Sequence, residues 1–290
     1  MTTLSNLETT INFFWTIFGT VLVFWMHAGF SLLEAGSIRH KNIVSIMYKN
    51  LLNVIISSLL WWLLGYSSAF GKSNKGIIGG ADIRYYTTNQ LYQTQQVNGT
   101  QIQSSQEDQL ILSNWLFQWA FSATSLTIIS GGMAERVQPS GYLILILGFQ
   151  ILIYPPIAHW CWHDLGWLKV RGFVDFAGSG VVHTVGGFAS LIGCILLGPR
   201  KGRLEAHSIP LVVLGTFILW MGWFGFNGAS TNISGDGMLQ RVGATLINMT
   251  ISASTAGVTT VFVLKFMTKK YKVGEMCNGI HGRCKSEMRT

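Results

Sequence analysis

Seven stretches of this chain, at about residues 11–35, 47–70, 111–134, 140–162, 176–198, 208–230 and 242–265, stay apolar for about 20 residues or more. A helix of that length rises about 30 Å, the thickness of a bilayer's hydrocarbon core. Only 11% of the 290 residues are charged, against about 25% in an ordinary soluble domain. Membrane-spanning strands would instead alternate in polarity over about 10 residues. The expected fold class is therefore an all-α polytopic membrane protein with about seven transmembrane helices in a lipid bilayer. The 33 glycines fit, because helices in lipid associate by close backbone approach at small residues.

The net charge of +8 comes from short clusters at the ends of these runs, so it reports topology and implies no nucleic-acid partner. Arg39 and Lys41 follow the first run and Arg136 the third. Arg200, Lys201 and Arg203 follow the fifth, and Lys265, Lys269, Lys270 and Lys272 the seventh. By the positive-inside rule all these lie in the cytoplasm and the N-terminus lies outside. The first ten residues carry no basic n-region, so no cleavable signal is expected there. Residues 1–266 are expected to form the transmembrane domain, with an outer polar loop at 71–110 that forms a mobile surface insertion, and 267–290 a polar cytoplasmic tail. Glycosylation acceptors at Asn98, in "NGT", and Asn232, in "NIS", fall on the outer side. A third match at Asn248 lies inside a span and is expected to stay unmodified.

A charge at mid-span costs about 2.5–3.5 kcal/mol on insertion scales, so an ionisable residue there is a functional candidate. His27, His159 and His183 are read as lying well inside apolar runs, and Asp175 at the start of one. Asp175 has two readings: a cap for free backbone N–H groups, or a direct contact with a polar solute. His183 lies about two turns deeper, too far round for direct pairing, where a neutral imidazole can hydrogen-bond a small polar solute. His27 and His159 read as buried, hydrogen-bonded residues.

Phe117 and Phe121 stand four apart on one helix face, and Trp223, Phe226 and Ser230 at i, i+3 and i+7 on another. Trp162 ends a span on the outer side. Such aromatic faces are usually packing or interfacial anchors, but they also attract cations by about 0.5–2 kcal/mol. Cys277, His281 and Cys284 lack metal-finger spacing, and the four cysteines imply no disulfide framework. With no phosphate loop, nucleophile elbow or paired carboxylates, neither an enzyme nor a cofactor or metal is expected.

These segments resemble the Amt/Mep/Rh ammonium transporter family, and its Amt branch in particular. "DFAGSGVVHTVGGFASLIGCILLGPR" (175–200) is similar to the family signature throughout. "HAGFSLLEAGSIRHKN" (27–42), "KNLLNVIISSLLWWLLGYSSAFG" (49–71), "FQWAFSATSLTIISGGMAER" (117–136), "YPPIAHWCW" (154–162) and "GWFGFNGAS" (222–230) match further family segments. The resemblance implies ammonium/ammonia conduction across the plasma membrane, with methylammonium as an analogue, in an eleven-helix fold that trimerises. It places substrate recruitment on Phe121, Trp162 and Ser230. It places a stacked gate on Phe121 and Phe226, with Phe117 and Trp223 as neighbours. His183 would be the pore-lining imidazole and Asp175 the buried structural aspartate.

The chain departs from the family in two places. His27 stands where family members usually carry Gln. After "VGEMCNGI", where an eighth span should begin, the sequence turns polar, so the second pore histidine near the tenth span and the remaining helices are expected to be missing. His281 is expected in the polar tail, unable to substitute. One reading is thus a transporter truncated at its C-terminus that lacks half its pore. The other is a non-conducting subunit that modulates full-length ammonium transporters. A seven-helix receptor fits the span count but not the motifs, since "AER" stands where such receptors carry "DRY".

Overall fold

Apolar side chains coat the outside of the helical bundle, and a set of hydroxyls is buried inside it beside an apolar core. Phe14, Leu152, Ile195 and Phe266 are exposed, whereas Ser122, Thr124, Ser125 and Thr127 are fully buried. That polarity suits a chain whose solvent is lipid, where every polar group needs a partner within the protein. The computed structural model describes residues 2–80, 95–97, 100–102, 106–200, 206–231 and 237–284.

Among the described residues the order is α1 (Thr2–Ser37), α2 (Ile43–Leu60), α3 (Tyr66–Phe70), α4 (Gln106–Met133), α5 (Pro139–Gly148) and α6 (Tyr154–Trp162). Then come α7 (Trp167–Val170), α8 (Val185–Leu197), α9 (Ile209–Gly228), α10 (Met238–Thr268) and α11 (Val273–Cys284). Wide π-helical turns at Trp61–Gly65 and Phe149–Ile153 join α2 to α3 and α5 to α6, and a third, Ser179–Thr184, leads into α8. The second of these turns delivers the chain to Pro155 and Pro156 in the first turn of α6, where prolines lacking N–H groups cost least.

Among the described residues six helical runs are long and apolar enough to cross a membrane, against seven expected. The remaining expected span is α4, whose 28 residues give the length but whose composition is more polar. It packs against α1, α2 and α8, so its hydroxyls meet protein. Thr124 Oγ1 donates to the Ala120 carbonyl at 2.8 Å, and Ser125 Oγ to the Val182 carbonyl at 2.9 Å.

The most extensive pairing is α1 against α9, antiparallel and backbone to backbone. Gly19 faces Gly225 and Gly29 faces Gly215. A Cβ on Gly215 would lie 2.6 Å from the Leu33 backbone nitrogen and 2.7 Å from the Gly29 carbonyl oxygen. No side chain fits between the two helices there.

Among its described residues the loop at 71–110 is less helical than an all-α reading implies. It holds two short antiparallel pairs, β1 (Ser73–Asn74) with β2 (Ile78–Gly79) and β3 (Gln95–Val97) with β4 (Thr100–Ile102). The start of the loop is tied down rather than a loose insertion: His159 Nε2 lies 2.8 Å from Ser73 Oγ, and Trp160 Nε1 donates to the Ile77 carbonyl at 2.7 Å. Asn98 and Asn232 lie outside the described residues.

A larger correction concerns the tail. The expected boundary at 267 falls inside α10, and residues 273–284 form α11, packed on α9 and α10 with Cys277, Ile280 and His281 buried. The polar letters of "NGIHGRC" hid this, because its apolar residues are few and lie on one face.

The basic end of the bundle is held by Glu135, whose side chain is only 1% exposed. Its Oε1 accepts from Arg39 N at 3.1 Å, Arg39 Nε at 2.9 Å and Asn42 Nδ2 at 2.6 Å, and Arg200 Nη1 lies 3.9 Å from Oε2. Burial alone would raise this carboxyl, but the hydrogen bonds from Arg39 and Asn42, with the Arg39 charge, hold it below its ordinary value. The loops after α1 and α4 are thereby fastened to each other.

Two outcomes are expected. Gly215→Ala should destabilise the detergent-solubilised chain by about 1–3 kcal/mol, the usual cost of overpacking, whereas Gly187→Ala, with nothing within 4 Å of the added Cβ, should not; thermal unfolding followed by size-exclusion chromatography distinguishes them. Because the Glu135 pKa is lowered on folding, its contribution is complete above the ordinary carboxylate value of about 4.3 and lost as pH falls through the lowered one. Glu135→Gln should therefore be less stable than the wild type at pH 7, with the gap closing on acidification in parallel melting curves.

Candidate functional site

At the end opposite Glu135 a cavity of about 320 Å³ opens among α1, α4, α6 and α9. Its lining includes Phe117, Gln118, Phe121, Trp162, Phe176 and Ser230. All three residues expected to recruit substrate, Phe121, Trp162 and Ser230, are thus in one wall-to-wall space. Ser230 Oγ donates to the Phe226 carbonyl at 2.7 Å, which leaves its lone pairs able to accept from a solute.

Trp162 is positioned by the segment that follows it: its Nε1 donates to the Asp175 carbonyl at 2.8 Å. The Asp175 carboxylate takes backbone N–H groups instead. Oδ1 accepts from Gly178 N at 2.9 Å, and Oδ2 from Gly180 N at 3.0 Å and Val181 N at 2.8 Å. Gly178 makes the turn possible with φ of 85°, a left-handed conformation that suits glycine. The geometry is that of a cap: one buried charge satisfied by donors that the start of a helix leaves open.

Beneath the cavity two rings lie face to face. Phe121 and Phe226 stack with centroids 4.0 Å apart and planes at 11°, a van der Waals contact. Phe117 flanks Phe121 at 4.4 Å and Trp162 stands 6.0 Å from it on the cavity side. Trp223 is fully buried one turn along α9 from Phe226.

His183 meets the far side of this pair, its ring edge-on to Phe226 at 5.2 Å. It sits in the wide turn Ser179–Thr184, with Nδ1 3.2 Å from the Gly178 carbonyl. A carbonyl can only accept, so Nδ1 donates, and in a neutral ring Nε2 then carries the acceptor lone pair. The same Gly178 serves Asp175 through its N–H and His183 through its carbonyl.

His27 and His159 are buried. His27 Nδ1 lies 2.9 Å from the Phe24 carbonyl, and His159 Nδ1 lies 2.8 Å from the Ala69 carbonyl. Sequence reasoning passed over two further buried charges, Glu34 and Lys49. Glu34 Oε2 accepts from Asn50 Nδ2 at 2.9 Å and Ser130 Oγ at 3.2 Å. Both residues lie near span ends, where long side chains are expected to reach water; the usable signal was that each stands in an otherwise apolar run. Gln118, in the cavity wall beside Phe117, was also unmarked.

Helices long and apolar enough to cross a membrane, with apolar side chains on the outside of the bundle, define a multi-pass membrane protein. Residues 14–282 match the Ammonium Transporter Family, and the chain belongs to that family. It is 38% identical to ammonium transporter 1 member 3 of Solanum lycopersicum over 96% of this chain and 62% of that protein. It is 35% identical to ammonium transporter Amt2 of Archaeoglobus fulgidus over 94% of this chain and 58% of that protein. Among solved structures, a Sensor Amt Protein superposes with a TM-score of 0.86 at 32% identity, covering 99% of this chain and 70% of that one. Candida albicans Mep2 gives 0.76 at 30% identity, covering 93% and 58%. The chain thus spans about three fifths of the length of these curated relatives.

Asp175→Ala should strip the three backbone donors of their acceptor and lower stability by about 1–3 kcal/mol for the groups left unsatisfied. Asp175→Asn, which keeps one acceptor oxygen, should fall between. Thermal unfolding of the purified variants measures both.

Proposed function

We propose that this chain takes part in conduction of ammonium as ammonia across the plasma membrane. The observation that carries this reading is the layering along one line: an aromatic cavity, two stacked rings, then an imidazole. In this reading Phe121, Trp162 and Ser230 hold the ammonium cation at the outer mouth, the rings through their π faces and the hydroxyl by accepting a hydrogen bond. Phe121 and Phe226, flanked by Phe117 and Trp223, form the gate. His183 Nε2 accepts a hydrogen bond from ammonia once the gate is passed, and Asp175 keeps the wide turn in shape.

Physical reasoning favours the neutral species beyond the gate. A cation among apolar rings loses its hydration shell at high cost, whereas ammonia needs only a few hydrogen-bond partners. The proton then stays on the cavity side or travels separately.

The topology follows from the charges. The N-terminus and the cavity face outward, and Arg39, Arg136, Arg200 and the lysines at 269–272 face the cytoplasm. Asn98 and Asn232 would be the outward glycan acceptors. The membrane unit runs through α11, and assembly is proposed as a homotrimer.

Uptake of radiolabelled methylammonium in yeast devoid of its own ammonium transporters tests the reading. Expected is uptake above the empty vector that falls at least tenfold in His183→Ala and in Trp162→Ala. Vector-level uptake by a correctly inserted chain would overturn conduction by the chain alone; its co-purification with a full-length relative, whose rate it alters, would instead support a modulating subunit.

A further inference from the structure

We infer that His159 and His163 form an acid-sensitive joint that holds the hairpin of β1 and β2 onto the end of α6. The two residues stand four apart, in the last turn of α6 and at its cap, with ring centroids 4.3 Å apart and planes at 22°. His159 is fully buried and His163 half-buried. Neither belongs to the proposed path, and nothing in the joint depends on conduction.

Hydrogen bonds tie both rings to their surroundings in the neutral form. His159 Nδ1 lies 2.8 Å from the Ala69 carbonyl and must donate to it, so in a neutral ring Nε2 accepts from Ser73 Oγ at 2.8 Å. Ser73 Oγ in turn accepts from Gly76 N at 3.2 Å. His163 Nδ1 accepts from Leu165 N at 3.1 Å, so that nitrogen carries no proton. The tip of the hairpin is seated on the same segment. Trp167 N donates to the Gly76 carbonyl at 3.1 Å, and a Cβ on Gly76 would lie 2.7 Å from the Leu165 carbonyl oxygen. The stacked pair is thus the point where α3, the hairpin and α6 meet.

A proton on His163 Nδ1 would set donor against donor and break the bond from Leu165. A second proton, on His159, would place two like charges in rings 4.3 Å apart, with little water to screen them. The ionisable groups on the neighbouring elements do not cancel that charge. Asp164 is tied to Lys169 at 2.7 Å, and Asp175 spends its carboxylate on backbone N–H groups. Beyond these stand the Tyr66 phenol on α3, Lys72 and Lys75 at the hairpin, Arg171 against the Trp167 ring and His183 against Phe226. Release lets both imidazoles take up protons in water, so acidification drives it. Trp162, in the cavity wall, lies on the turn that release would loosen.

Hydrogen exchange of the purified full chain in detergent, read by mass spectrometry as protection factors at about pH 7.5 and about pH 5, brackets the ordinary histidine value of about 6.5. Expected is a loss of protection of at least about tenfold at residues 72–80 on acidification, with α1 and α9 unchanged. His163→Gln, which keeps an acceptor for Leu165 but takes up no proton, should hold its protection within about twofold across the same change. Should that variant fail to fold, His163→Phe, which keeps the stack, serves instead. His163→Lys should show the acid level of protection already at the higher pH. Wild-type protection that does not change with pH would overturn the joint, as would an equal loss in His163→Gln or a loss shared by α1 and α9.

Discussion

The contact of α1 with α9 along bare backbone is the constraint on which the rest depends. In lipid, two helices gain nothing from hiding apolar surface from each other, so they hold together by packing and by weak contacts between backbones. Gly19 against Gly225 and Gly29 against Gly215 bring the two helices to that distance. The contact also fixes the rotation of α9 about its own axis. With one face spent on α1, the face bearing Trp223, Phe226 and Ser230 turns toward α4 and the cavity. A change in the glycine seam would therefore be felt at rings that it does not touch.

Asp175 plays a comparable part on the other wall. Its carboxylate gathers three N–H groups at the start of a wide turn, while its own carbonyl takes the Trp162 indole. One residue thus sets the position of a cavity residue on its carbonyl side and of His183 on its side-chain side. The charge is balanced by fixed backbone dipoles rather than by a mobile cation, so the wall keeps its shape whatever occupies the cavity.

Much of the site was legible in the sequence because helical spacing is a reliable geometric guide. Trp223, Phe226 and Ser230 share a face by count alone, and Phe117 and Phe121 likewise meet at 4.4 Å. The cap at Asp175 could be read from a carboxylate placed just before an apolar run. Spacing could not show that Phe121, on α4, stacks on Phe226, on α9, since that pairing depends on tertiary packing. The wide turns were hidden because an extra residue in a turn leaves composition unchanged. Glu34 and Lys49 were hidden because the rule for reading a charge in a membrane allows it near a span end, and here both ends are covered by neighbouring helices. The segment at 273–284 misled for the opposite reason: its polar letters outnumber its apolar ones, yet Cys277, Ile280 and His281 are the ones that meet α9 and α10.

Under the proposed conduction, the stacked pair at 4.0 Å would carry a kinetic meaning as well. Two rings in contact leave no static channel, so passage waits on their parting, and neither ring can move without the neighbours that bury it. Throughput is then set by how often the rings open and for how long, not by the width of a hole. Traffic through such a point is counted molecule by molecule, and it saturates when every opening is used.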